Sequence, residues 1–153
     1  MPVQVTSLTI IRGPLEDVSA REDSIPLVVE REQLAKSRWR GEAVDGREFG
    51  FDLEEPLKNG DAFWRNNKGV YRICQSPEPV LVVKAVSRQR AAELAWSIGN
   101  LHQVAEIGKS ELVVSDDPAL RRLFQTMGVK FREDVRVFEP LRATAGHGHS
   151  HGH

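Results

Sequence analysis

The sequence has few features that would support disulfide bonding, membrane insertion or binding to polyanions. Its 153 residues include a single cysteine, Cys74, so an internal disulfide is excluded. The 21 basic and 22 acidic side chains leave a net charge of −1, which provides no field for attracting nucleic acid or an anionic membrane. No apolar run approaches the roughly 20 residues of a transmembrane helix, and no signal peptide is recognisable. We therefore expect a cytoplasmic protein with neither nucleic acid nor membrane as a partner.

The chain also lacks the residue combinations that catalysis needs. An enzyme requires an activated nucleophile, a general base or an open metal site with three fixed ligands. Before residue 147 there is one histidine, His102, and no glycine-rich loop of the kind that cradles phosphate. We predict that the protein is not an enzyme. Cys74 lies in a strand-like segment and is interpreted as a buried small hydrophobic residue.

The first half of the chain has the pattern of a small all-β domain, residues 1–76. Short β-branched or aromatic segments alternate with turn signals about every ten residues. One of these signals is Asp45-Gly46, which favours a tight hairpin turn with positive φ at both central residues. The predicted strands are 3–11, 25–30, 38–44, 47–53, 62–65 and 70–75.

Two prolines, Pro77 and Pro79, indicate a boundary, because proline is disfavoured in helices and in central strands. Beyond it the elements follow the order β-α-β-β-α-β of the ferredoxin-like arrangement, which we assign to residues 77–143. The predicted strands are 80–86, 105–107, 111–115 and 129–138, and the helices are 87–102 and 119–127. The fold class is therefore α+β.

The helix predicted at 87–102 is amphipathic and ends near His102. At about 100° per residue, one stripe of side chains faces the core and a smaller flank remains for a second contact. The stripe comprises Ala91, Leu94, Ala95, Ile98 and Leu101, and the flank comprises Ala92, Trp96 and Gly99. A lone histidine at such a helix end has two interpretations: a cap that interacts with the helix dipole, or a metal ligand.

The chain ends in a histidine-rich segment, 144–153, in which His147, His149, His151 and His153 alternate with glycine and serine. Since this segment has nothing apolar to bury, we predict a disordered tail. Imidazole is a common metal ligand in its neutral form, which dominates above about pH 6.5. A purification tag is the alternative, although tags are usually unbroken runs of histidine. We predict that the tail binds metal.

The two sets of histidines can be combined by symmetry. About eight residues separate Glu139 from His147, so the tail can extend roughly 25 Å at about 3.3 Å per residue. A two-fold axis through the flank containing Trp96 would place two copies of His102 opposite each other. The hypothesis is a shared metal site, with His102 from each protomer and imidazoles from the tails.

Several stretches resemble the urease accessory metallochaperones of the UreE type. These are Leu57-Lys58-Asn59-Gly60-Asp61, Glu78-Pro79-Val80-Leu81-Val82-Val83, the helix end Gly99-Asn100-Leu101-His102, and the histidine-rich tail. The resemblance implies an N-terminal domain similar to chaperone peptide-binding domains and a ferredoxin-like metal-binding domain. It further implies a homodimer through the C-terminal domain, with His102 as the shared nickel ligand and the tail histidines as auxiliary ligands. The implied function is delivery of Ni(II) to the urease apoprotein with the urease accessory GTPase.

The chain departs from the family pattern at two places. Many members have arginine where Leu101 stands, and some carry histidines near Ser115, where Asp116 and Asp117 are read here as helix caps. All-imidazole ligation also accommodates Zn(II) or Cu(II). Selectivity for nickel would therefore have to come from the geometry of the site or from which metal ions are supplied to the protein. Two rival functions remain at this point: a histidine-rich metal buffer or storage protein, and a peptide-binding chaperone module with an incidental tail.

Overall fold

The computed structural model describes residues 7–142. The chain divides into two compact units, Met1–Ser76 and Pro77–His153, each with its own hydrophobic core. Helices and strands together make a mixed α+β fold, which confirms the predicted class. Within residues 7–142, no helix combines the length and apolar character needed to cross a bilayer.

The first unit contains two three-stranded sheets, ordered β1-β4-β3 and β2-β6-β5. Five aromatic residues are buried in its core: Trp39, Phe49, Phe51, Phe63 and Tyr71. The Phe49 ring lies edge-on to Phe63 and Tyr71, with 5.1 Å between centroids in both pairs, and Trp39 stacks on Phe51 at 3.9 Å. Edge-on and offset contacts are the arrangements that aromatic quadrupoles favour. The elements are β1 (Thr9–Ile11), β2 (Ser24–Val29), α1 (Arg31–Leu34), β3 (Arg38–Glu42), β4 (Glu48–Asp52), β5 (Ala62–Asn66) and β6 (Gly69–Gln75).

Three sequence predictions for this unit need correction. The prediction of an all-β unit misses α1, one turn of helix that places Leu34 in the core. The hairpin at Asp45-Gly46 forms, but only Gly46 has positive φ. The Gly46 N–H donates to the Ala43 carbonyl at 2.9 Å, so Val44 and Asp45 are the central residues of the turn and Gly46 follows them. Cys74 is exposed rather than buried, since it alternates with Ile73 and Gln75, which both point inward.

The second unit has one four-stranded antiparallel sheet, ordered β10-β7-β9-β8, with two helices on one face. This is the strand order of a βαββαβ fold. Leu94 and Ile98 of α2 and Leu120 and Phe124 of α3 pack on the inward side chains of β7 and β9. The elements are β7 (Glu78–Lys84), α2 (Arg88–Asn100), β8 (Glu106–Ile107), β9 (Glu111–Ser115), α3 (Pro118–Met127) and β10 (Arg132–Arg136).

The prediction that Pro79 lies outside a central strand is wrong. β7 lies between β10 and β9, and Pro79 is its second residue, paired in register with Val135. The position is tolerated because it lies at the strand's start, and the Pro79 carbonyl still accepts a hydrogen bond from the Asp116 N–H at 3.1 Å. The two-proline segment is therefore partly strand.

Candidate metal centre

Helix α2 positions His102 through defined signals at both of its ends. At its start the Ser87 hydroxyl accepts a hydrogen bond from the Arg90 N–H at 3.1 Å, a standard N-cap. Leu94 and Ile98 are buried, which fixes the helix on the sheet. The helical residues end at Asn100, earlier than the predicted end at 102, and the chain then leaves the helix axis.

Helix α2 ends in a Schellman motif, and His102 is the left-handed residue of that motif. The His102 N–H donates to the Gly99 carbonyl at 2.9 Å, and the Gln103 N–H donates to the Ile98 carbonyl at 3.3 Å. His102 therefore has φ of +56°, in the left-handed region that normally selects glycine. Helix α3 ends with the same hydrogen-bond pattern, and there the left-handed residue is Gly128, with φ of +66°.

The unusual residue choice at the end of α2 places the His102 side chain at the surface. His102 is exposed, and the hydrogen bonds that it makes within residues 7–142 come from its backbone. The backbone N–H, rather than the ring, therefore makes the capping bond. A left-handed non-glycine residue costs roughly 1 kcal/mol or more, and such strain is commonly found at functional positions.

The prediction that Leu101 lies on the buried stripe of α2 is wrong. The stripe ends at Ile98, and the turn into the left-handed region leaves Leu101 42% exposed. Trp96, on the second flank, is 71% exposed. Val104, Ile107 and Leu141 are also large exposed apolar side chains of this unit.

The segment after β10 leads the chain back toward His102. Phe138 is fully buried and packs with Val80, Val82 and Val113, the cluster opposite the helices. The Leu141 N–H then donates to the Ala105 carbonyl at 2.9 Å, three residues beyond His102. The described chain therefore ends close to the end of α2. The sequence prediction placed Phe138 inside a strand and missed this anchoring role. An aromatic residue just after the charged strand Arg132–Arg136 could have indicated that the chain is anchored there.

One copy of the described chain does not hold a complete metal site. Within residues 7–142, no group of three or more His, Cys, Asp or Glu side chains is placed to hold a metal ion. His147, His149, His151 and His153 lie outside the described residues. A metal site that included the exposed His102 imidazole would therefore have to take its other ligands from outside residues 7–142 of the same copy.

The two aspartates before α3 have structural partners. The Asp117 carboxylate accepts a hydrogen bond from the Ala119 N–H at 2.7 Å, which confirms it as the N-cap. Asp116 instead forms a bidentate pair with Arg121, at 2.6 and 2.7 Å. Hydrogen bonding to Arg121 lowers the pKa of Asp116. The interpretation of Asp116 as a cap is therefore wrong, and it serves as a partner of Arg121.

The fold and this site define an α+β protein with an exposed imidazole on a βαββαβ unit. Comparison with known proteins narrows that class. Residues 78–153 match the family model described as UreE urease accessory protein, C-terminal domain. The chain is 30% identical over 133 residues to the urease accessory protein UreE of Geobacillus kaustophilus, covering 82% of this chain and 90% of the relative. It is 30% identical over 148 residues to the UreE of a Nostoc species, covering 95% of this chain and 99% of that relative.

A third relative, the UreE of Pseudomonas fluorescens strain SBW25, is 29% identical over 128 residues, with 82% of this chain and 77% of the relative covered. The chain belongs to the UreE family of urease accessory proteins. Membership in this family implies a role in urease maturation.

Proposed function

We propose that the protein is a non-catalytic nickel carrier that delivers Ni(II) to the urease apoprotein in the cytoplasm, together with the urease accessory GTPase. The observation that carries the proposal is the conformation of His102. A histidine occupies a left-handed helix-terminal position, where glycine is preferred, and its ring is exposed. Selection for an accessible imidazole at that point accounts for the choice.

Symmetry would supply the second ligand. We infer a homodimer through the C-terminal unit, with the two copies of His102 facing across the axis. The large exposed apolar side chains of this unit support such an interface, because an extended exposed apolar patch is typical of a protein–protein contact. The relevant side chains are Trp96, Leu101, Val104, Ile107 and Leu141.

The C-terminal segment would supply the remaining ligands, His147, His149, His151 and His153. The Leu141 N–H bonds to the Ala105 carbonyl, and His147 follows six positions later, a span of at most about 20 Å. The Cα atoms of Ala105 and His102 are within about 11 Å of each other, because the two residues are three positions apart in the chain. The tail imidazoles can therefore reach His102 without any rearrangement of the described fold.

An all-imidazole ligand set suits an ion that must be released. Neutral imidazoles bind divalent nickel, zinc and copper, and tail ligands can leave one at a time during transfer. Since only the neutral ring binds, protons compete with the metal. We expect affinity for Ni(II) to fall on acidification, and equal affinities at pH 8 and pH 5.5 in calorimetry would contradict imidazole ligation.

A pair of variants separates a carrier from a metal buffer. In a urease activation assay with limiting nickel, we expect His102→Ala to abolish activation, while a chain ending at Ala145 loses metal capacity but keeps part of the activation. Gln103→Ala is the matched control, because it changes the neighbouring side chain and leaves the imidazole in place. Full activation by both the His102→Ala variant and the truncated chain would exclude the carrier function.

A further inference from the structure

A cleft of about 320 Å³ opens at one end of the C-terminal sheet, between the end of β7 and the starts of β9 and β10. Its wall combines a small apolar surface with charged side chains that are mostly cationic. The lining residues are Val82, Lys84, Glu111, Lys130, Phe131 and Arg132. This size is at the small end of the range for ligand sites, and it accommodates one or two side chains of a bound segment.

The charges in the cleft are only partly neutralised. Glu111 accepts from Arg132 at 3.0 Å and lies 3.8 Å from Arg136, so this carboxylate is already shared by two guanidinium groups. Lys84 and Lys130 are exposed, and neither forms an ion pair or hydrogen bond within residues 7–142. Two ammonium groups therefore flank a cleft whose own carboxylate has other partners.

This cleft is separate from the proposed metal centre. Helix α2 begins just after β7 ends at Lys84 and runs back along the sheet, so His102 lies at the opposite end. The seven residues of β7 span roughly 20 Å. A ligand held between the two lysines would leave the His102 imidazole accessible.

We propose that the cleft is a docking site for an acidic segment of a protein partner. A carboxylate side chain would lie between the ammonium groups of Lys84 and Lys130, with a neighbouring apolar side chain against Val82 and Phe131. A carboxylate side chain within a peptide segment fits better than a free phosphate, because the segment also carries the apolar side chain that can pack on Val82 and Phe131. Such a surface would steer an acidic partner onto this face and set its orientation.

The test uses a fluorescein-labelled peptide of alternating glutamate and leucine, with a glutamine–leucine peptide of equal length as the uncharged probe. Binding to the full chain is followed by fluorescence anisotropy at low salt, and the site is mapped by backbone amide shifts in NMR. The test variant is Lys84→Gln/Lys130→Gln, and the control is Lys36→Gln/Lys58→Gln, which removes the same charge from the N-terminal unit. Thermal unfolding checks that both variants are folded.

We expect the acidic peptide to shift the amides of residues 82–84, 111 and 130–132, and the test variant to bind it about fivefold more weakly. The control variant should bind as the unchanged chain does, and the uncharged peptide should not bind. Equal weakening in both variants, shifts located elsewhere, or no binding to the unchanged chain would overturn the proposal. Tighter binding of inorganic phosphate than of the peptide, lost in the test variant, would also overturn it in favour of a phosphate site.

Discussion

Replacing His102 by glycine should make the metal-free protein more stable while removing the imidazole that we propose as a ligand. His102 lies in the left-handed region, with φ of +56°, and both hydrogen bonds of its Schellman motif come from backbone groups. Glycine keeps those bonds and removes the clash between Cβ and the following carbonyl, which costs an L-residue about 1–2 kcal/mol. The greater conformational freedom of glycine in the unfolded chain offsets about 0.5–1 kcal/mol of that stabilisation.

The net gain for His102→Gly is therefore about 0–1.5 kcal/mol, with a central value of about 0.7 kcal/mol, which corresponds to a few degrees in Tm for a unit of this size. The assay is urea unfolding with a chelator present, since bound metal would otherwise stabilise the unchanged chain. His102→Ala is the matched control, because it also removes the imidazole but keeps a Cβ in the left-handed region. It should be no more stable than the unchanged chain.

Helix α3 provides the reciprocal experiment within the same unit. Gly128 makes the same cap with φ of +66°, so Gly128→His should destabilise the protein by about as much as His102→Gly stabilises it. Both effects should be seen without metal. If His102→Gly is no more stable than His102→Ala, the interpretation of His102 as a strained position retained for its side chain is refuted.

Three further changes test the packing around the site and in the first unit. Phe138→Ala should cost about 3–5 kcal/mol in urea unfolding because a fully buried ring is lost from the sheet; a loss below 1 kcal/mol would show that the ring is not an anchor. Asp117→Ala should cost about 1 kcal/mol through the lost N-cap, whereas Asp117→Asn, which can still cap, should cost less; equal losses would contradict capping. Hydrogen bonding from Tyr71 lowers the pKa of Asp45, so its stabilising contribution is present above the unfolded-state value and is lost as pH falls through the lowered pKa. In Asp45→Asn, the free energy of unfolding measured with urea should therefore fall less steeply below about pH 4 than in the unchanged chain. An unchanged dependence on acid pH would contradict this contribution.

The periodicity of the chain predicted much of the second unit because burial there follows simple repeats. Leu94 and Ile98 face the core at helical spacing, and Asp117 with Pro118 begins α3 as the capping rules predict. The exposure of Leu101 was not predicted, because a helical wheel assumes that the helix continues. The wheel cannot show that the chain turns into the left-handed region at a histidine rather than at a glycine.

Other features depend on contacts between residues distant in the chain. Cys74 is exposed because β6 leaves one face at the surface, and a short apolar segment does not indicate which face is buried. The return of the chain to Ala105 depends on the fit of Phe138 over the sheet, which local pattern does not encode. The histidine-rich tail was evident from composition, but the position of Leu141 beside Ala105 required the fold.

Native mass spectrometry with stoichiometric Ni(II) tests the central claim most directly, using the unchanged chain, His102→Ala and a chain ending at Ala145. We predict a dimer of the unchanged chain that holds a tightly bound nickel ion, loss of that ion in His102→Ala, and weaker retention in the shortened chain. A His102→Ala dimer that retains the same tightly bound nickel, or nickel bound only to monomers, would contradict a site shared across the dimer axis.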